Sequence, residues 1–95
     1  MTESPPQLAE HLLGLASDYS RLSDELAEVL TAKPMKWIEL RAVASSDTQA
    51  ERAWSATEDG VKEVVLRLKV KALEKVMSAI KTRLRVLEGE ANNLY

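Results

Sequence analysis

The chain has no cysteine and no phenylalanine, one histidine, three glycines and three prolines in 95 residues. Without cysteine there is neither a disulfide nor a thiolate metal site, and His11 alone cannot assemble a histidine zinc site within one chain. We expect no metal and no other cofactor. Scarce glycine and proline fit long helices better than a sandwich or a barrel, whose chains must turn often. No apolar run approaches the length of a membrane span, and the opening Met-Thr-Glu-Ser-Pro-Pro has neither the basic nor the apolar region of a signal peptide. The expectation is a soluble cytoplasmic protein with no membrane partner.

Charge of one sign is missing locally rather than overall. The formal net charge is −2. Up to Leu30, however, Glu3, Glu10, Asp18, Asp24, Glu25 and Glu28 stand against Arg21 alone, whereas in 62–85 Lys62, Arg67, Lys69, Lys71, Lys75, Lys81, Arg83 and Arg85 stand against Glu63 and Glu74. Two oppositely charged segments in a small domain face each other or face different partners.

What is present is heptad periodicity. In 61–94, Leu66, Val70, Leu73, Met77, Ile80, Leu84, Leu87, Ala91 and Leu94 recur at alternating spacings of four and three, a coiled-coil seam. Leu8, Leu12, Leu15, Tyr19, Leu22, Leu26 and Val29 keep the same alternation in a first helix over about residues 6–31. Ser4 before Pro5 and Pro6 reads as its cap. Pro34 is expected to end it, because the ring pushes Lys33 out of the helical region.

Residues 35–44 read as a short helix with Pro34 near its start. A competing reading pairs this segment as a strand with 64–71, where Leu66-Arg-Leu-Lys-Val-Lys71 alternates, but the unbroken seam from Leu66 onward favours helix. Ser46 with Gln49 forms a capping-box signature, so another helix begins near residue 47. It either closes at Gly60 or runs through it to about residue 92.

The fold expected is therefore all-α: one domain over 1–95, a helical hairpin or coiled-coil bundle with a long C-terminal helix. Like flanks meet in an antiparallel pair, so His11, Asp18 and Glu25 are expected to face Lys62, Lys69 and Arg83. Ala9, Ala16, Ser23 and Leu30 form the opposite flank, suited to a third helix. The last helix has a second apolar stripe, Val61, Val65, Leu68, Ala72, Val76, Ala79 and Val86, which needs cover of its own. A second copy of the chain, most simply in a homodimer, is the expected cover, with Leu68, Val76, Trp37 and Trp54 as candidate interface residues.

No catalytic constellation stands out, so no enzyme is expected. Glu39 beside Trp37 and Arg41 reads as a solvated glutamate, and His11 as a rim residue. Arg67, Lys71, Lys75, Lys81 and Arg85 line up at helical spacing, where like charges repel unless something acidic offsets them. Phosphate is one such partner, and helix one or solvent is the plainer one. The region has no aromatic residue for stacking on bases. The function expected is a non-enzymatic helical protein that binds or assembles with other proteins. The alternative is an accessory nucleic-acid-binding protein.

The run from Lys36-Trp37 through Leu40-Arg41, Ser46-Asp47, Ala53-Trp54, Glu58-Asp-Gly60, Lys71-Ala-Leu-Glu-Lys75 and Leu84-Arg-Val-Leu-Glu-Gly-Glu-Ala91 resembles small uncharacterised helical proteins of bacteriophages and prophages. The resemblance implies a phage origin and a place near replication or recombination functions. It assigns no residue a role.

Overall fold

The computed structural model describes residues 4–93. Three helices follow one another: α1 (Pro5–Val43), α2 (Asp47–Ala56) and α3 (Glu58–Asn93). The described residues include no strand, which removes the pairing of 36–44 with 64–71. The shape is a rod of 69 × 21 × 20 Å with a radius of gyration of 20.1 Å. A compact domain of this length has a radius near 12 Å.

Ser4 starts α1 as its residue type demands. Its Oγ accepts from the Gln7 amide at 3.4 Å and its own amide donates to Gln7 Oε1 at 3.0 Å, a reciprocal box ahead of Pro5 and Pro6. The helix then runs 39 residues without stopping at Pro34, so the expected helices over 6–31 and 35–44 are one. A proline inside a helix loses one backbone hydrogen bond and crowds the preceding turn, at a cost of about 3 kcal/mol. Two features outweigh that cost. Pro34 itself lies on the exposed side, and the turns beyond it carry Trp37 and Leu40 onto the core.

Arg41 closes α1 by donating to Ala44 O at 3.1 Å and to Asp47 Oδ1 at 2.6 Å across the turn. Ser46 caps α2 as expected, accepting from the Gln49 amide at 3.2 Å, but Gln49 Oε1 returns to the amide of Ser45, at 3.1 Å, one residue early.

The chain does not continue as one helix from 47 through Gly60. Thr57 ends α2 and begins α3 at once: its amide reaches Trp54 O at 2.9 Å, its hydroxyl donates to the same oxygen at 2.6 Å, and its Oγ accepts from the Gly60 amide at 3.0 Å. Gly60 then sits in the first turn of α3, pressed on the end of α2. A Cβ there would overlap the Trp54 carbonyl oxygen and lie 2.7 Å from its carbon. Glycine is required for close approach and not for backbone conformation, since no described glycine has positive φ.

α1 and α3 pack as the expected antiparallel hairpin. Tyr19 meets Glu74, Lys33 meets Glu63 and Lys36 meets Asp59, so the partner's number falls as the first rises. Both heptad seams line the contact. Leu8, Leu22, Val29, Leu66 and Ile80 are buried, and the seam positions between them are half-buried. Ala91 and Leu94, the last seam positions, lie outside the residues whose side chains are described. α2 folds back on one end of the hairpin and inserts Trp54, which is 3% exposed, among Leu22, Val29 and Leu66, with Leu26, Trp37, Leu40, Val70 and Leu73 around them. The core is therefore thickest at the α2 end and thins to two helices beyond it.

Candidate interaction surface

Three groups of side chains are built by this hairpin, and they differ in what they offer a partner. One is a charged knot at the junction of all three helices. Glu63, whose side chain is 12% exposed, lies 3.2 Å from Lys33 Nζ, accepts from Trp54 Nε1 at 3.1 Å, and accepts from Arg67 Nε at 3.1 Å. The Lys33 ammonium lies 5.3 Å from the Trp54 ring centroid, within cation–π range. Burial raises the Glu63 pKa, but the hydrogen bonds from Lys33, Arg67 and Trp54 together overcome it and hold the carboxyl below the ordinary glutamate value. Every other member is bonded to Glu63. The knot fixes the crossing of three helices, with the free side of the Arg67 guanidinium left toward solvent.

Sequence reasoning missed this knot, although a signal was there. Counting back from Leu66 along the seam lands on Glu63 and Asp59, and counting on from Val29 lands on Lys33 and Lys36. Core heptad positions with opposite charges on the two helices are a pairing code, and Lys36 bonds Asp59 as Lys33 bonds Glu63.

The flank pairing expected from charge does not form. Asp18 and Glu25 instead bracket Arg21 on their own helix, at 3.9 and 3.5 Å. Among the described residues Lys62, Lys69 and Arg83 make no ion pair with α1. The ion pairs that do form between α1 and α3 among the described residues, Lys33–Glu63 and Lys36–Asp59, have the reverse polarity, with cations on α1. Among the described residues the remaining polar link between α1 and α3 is Tyr19, whose hydroxyl donates to Glu74 Oε1 at 2.9 Å. Its phenol pKa is raised by that bond and by the Glu74 charge.

The second group is the row Arg67, Lys71, Lys75, Lys81 and Arg85. All five are exposed along α3. The row is not purely basic: Arg67 is tied to Glu63, and Glu74 stands within it, held by Tyr19.

The third is the outer face of α3. Val61, Val64, Val65, Leu68, Val76 and Val86 are all exposed, Leu68 to 63% and Val76 to 45%. A shallow groove of about 420 Å³ runs beside this stripe, lined by Leu26, Val64, Arg67, Leu68, Val70, Lys71 and Glu74. Neither α1 nor α2 covers the stripe. Of the four residues expected at an interface, Leu68 and Val76 are presented on it, while Trp54 is sealed in the core and Trp37 is packed half-buried against it. The tryptophans fix helix crossings because their rings are the largest side chains in the chain and fill the gap between three helices.

Among the described residues no cluster of His, Asp or Glu could hold a metal ion, and no helix is long and apolar enough to cross a membrane. The comparisons with known proteins are silent: no family model, no curated protein and no solved structure matches the chain.

Proposed function

We propose that this chain is a non-enzymatic helical interaction and assembly protein, of phage or prophage type and cytoplasmic, that seats a protein partner on the outer face of α3. One observation carries the reading: the apolar stripe from Val61 to Val86 is exposed along the rod although the hairpin seam on the same helix is closed. The chain exposes 7109 Å². A monomer of this mass with ordinary compactness exposes roughly 5500 Å². The excess, about 1600 Å², is spread over the whole rod, and a standard interface would cover roughly 800 Å² of it on this partner.

The test compares wild-type protein with Leu68→Glu and Val76→Glu in two measurements, sedimentation equilibrium and capture from a host lysate. The reading requires that an assembly or a captured protein be lost in both variants while helicity is kept. Behaviour identical to wild type in both measurements overturns it.

A second reading is an accessory nucleic-acid-binding role, in a phage replication or recombination module, through Arg67, Lys71, Lys75, Lys81 and Arg85. It draws on the exposure of all five. Phosphate contacts release counterions, so a genuine complex weakens by about 0.7 to 0.9 log units per log unit of salt for each phosphate neutralised. A gel shift at low salt that disappears at moderate salt and in Lys71→Glu/Lys75→Glu supports this reading, and no shift at micromolar protein removes it.

A further inference from the structure

The edges of the apolar stripe carry charge of one sign. Between 61 and 86 the acidic residues of α3 are Glu63 and Glu74, and both are turned to α1, Glu63 by Lys33 and Glu74 by Tyr19. Glu74 still lines the far side of the groove, but the charges next to the stripe itself in this stretch are cationic. Placed on a helix of 3.6 residues per turn, Lys62 and Lys69 border one edge of the stripe and Lys71 and Lys75 the other, while Arg83 falls on the stripe itself, between Ala79 and Val86. All five are exposed, and none makes an ion pair among the described residues. The hairpin thus sorts its charges, tying Glu63 and Glu74 to α1 and leaving an apolar track between two basic edges.

We infer that the occupant of this track is an amphipathic α-helix with acidic flanks, supplied by a different protein. The inference rests on the docking reading above and names the chemistry of the partner. A helix fits because the stripe recurs every three or four residues from Val61 to Ala79, keeping to one face of α3 over several turns, and such a face takes an apolar helix face of the same period. Acidic flanks fit because a partner's own edges would come to lie over the two rows of cations.

The same sorting argues against a second copy as the occupant. α3 laid on another α3, parallel or antiparallel, sets cationic edge against cationic edge. Nor does α1 of a second copy serve. Its acidic surface carries Glu10, Asp24 and Glu28, but its seam is closed in its own hairpin, and the large apolar side chains it exposes, Leu13, Met35, Ile38 and Val43, make no continuous track with them. Nucleic acid offers the negative charge without an apolar face for Val65, Leu68 and Val76.

The test uses fluorescein-labelled synthetic peptides long enough to span the stripe, identical in their leucine and alanine seam and differing in the flanks, glutamate in one and lysine in the other. Anisotropy is titrated with the full chain and with a Lys62→Glu/Lys69→Glu/Lys71→Glu/Lys75→Glu variant. These lysines are exposed and bear no core contact, so the variant is expected to fold, which circular dichroism checks. The expected result is binding of the glutamate peptide at least about tenfold tighter than the lysine peptide, inverted in the charge-reversed variant and abolished by Leu68→Glu. Equal affinity for both peptides overturns the acidic-partner inference while leaving docking on the stripe intact. A dimer dispersed by Leu68→Glu, with no peptide bound, assigns the track to a second copy and overturns it likewise. Tight binding to phosphatidylglycerol vesicles in place of the peptides assigns the track to an anionic lipid surface. If no peptide binds and Leu68→Glu changes neither sedimentation nor lysate capture, both the inference and the docking reading fall.

Discussion

Lys33 of α1 and Glu63 of α3 occupy facing seam positions 3.2 Å apart, and Trp54 of α2 donates to the same carboxylate. One glutamate therefore holds all three helices. Because it is largely buried, removing it strands an ammonium and an indole N–H, and Glu63→Ala is expected to cost about 1–3 kcal/mol. Urea denaturation at neutral pH measures the loss, and Lys33→Met/Glu63→Leu, which leaves no charge behind, is expected to recover much of it.

The same carboxylate predicts an acid response. Its folded pKa is depressed, so its contribution is fully present above the unfolded value, near 4.3, and is lost as pH falls through the lower folded value. Wild type is expected to lose stability between neutral pH and that acidic window more steeply than Glu63→Gln. Parallel curves of unfolding midpoint against pH for the two proteins count against the assignment.

Gly14 and Gly60 are both helical, yet alanine is expected to act oppositely at the two. Nothing lies within 4 Å of a Cβ at Gly14, whereas one at Gly60 meets the Trp54 carbonyl. Gly14→Ala gains the intrinsic difference in helix propensity, about 1 kcal/mol. Gly60→Ala forces α2 away from α3 and is expected to cost more than about 2 kcal/mol, with Trp54 fluorescence shifting toward that of an exposed indole. Thermal melts separate the two signs.

Pro34 shows where reading the chain succeeds and where it fails. The seams were legible because Leu, Val and Met at heptad spacing have one economical use, and every described seam position from Leu66 to Leu87 is buried or half-buried. The helix through Pro34 was not legible, because a local rule about proline was weighed without the tertiary packing of Trp37 and Leu40 that overrides it. The knot around Glu63 escaped for a related reason: a charged side chain is read as surface until a partner of opposite sign is found at the facing core position, and that requires the register of two helices. The exposed stripe, by contrast, followed from period alone. Pro34→Ala restores the missing backbone bond at an exposed position and is expected to stabilise the chain by about 1–2 kcal/mol, net of the freer unfolded state, as read from the urea midpoint.

Leu66 and Leu68 separate the two apolar faces of α3. Leu66 is 4% exposed in the hairpin core and Leu68 is 63% exposed on the outer face, so neighbours in sequence answer different questions. Leu66→Ala removes buried contacts from both long helices and is expected to cost about 2–5 kcal/mol. Leu68→Glu replaces an apolar side chain in water with a charged one of good helix propensity, and the isolated chain is expected to keep its stability within about 0.5 kcal/mol. If Leu68→Glu instead unfolds the chain at dilute concentration, the stripe is being covered by the protein's own fold or by an obligate second copy. In that case the outer face is core, and the partner helix has to be sought elsewhere.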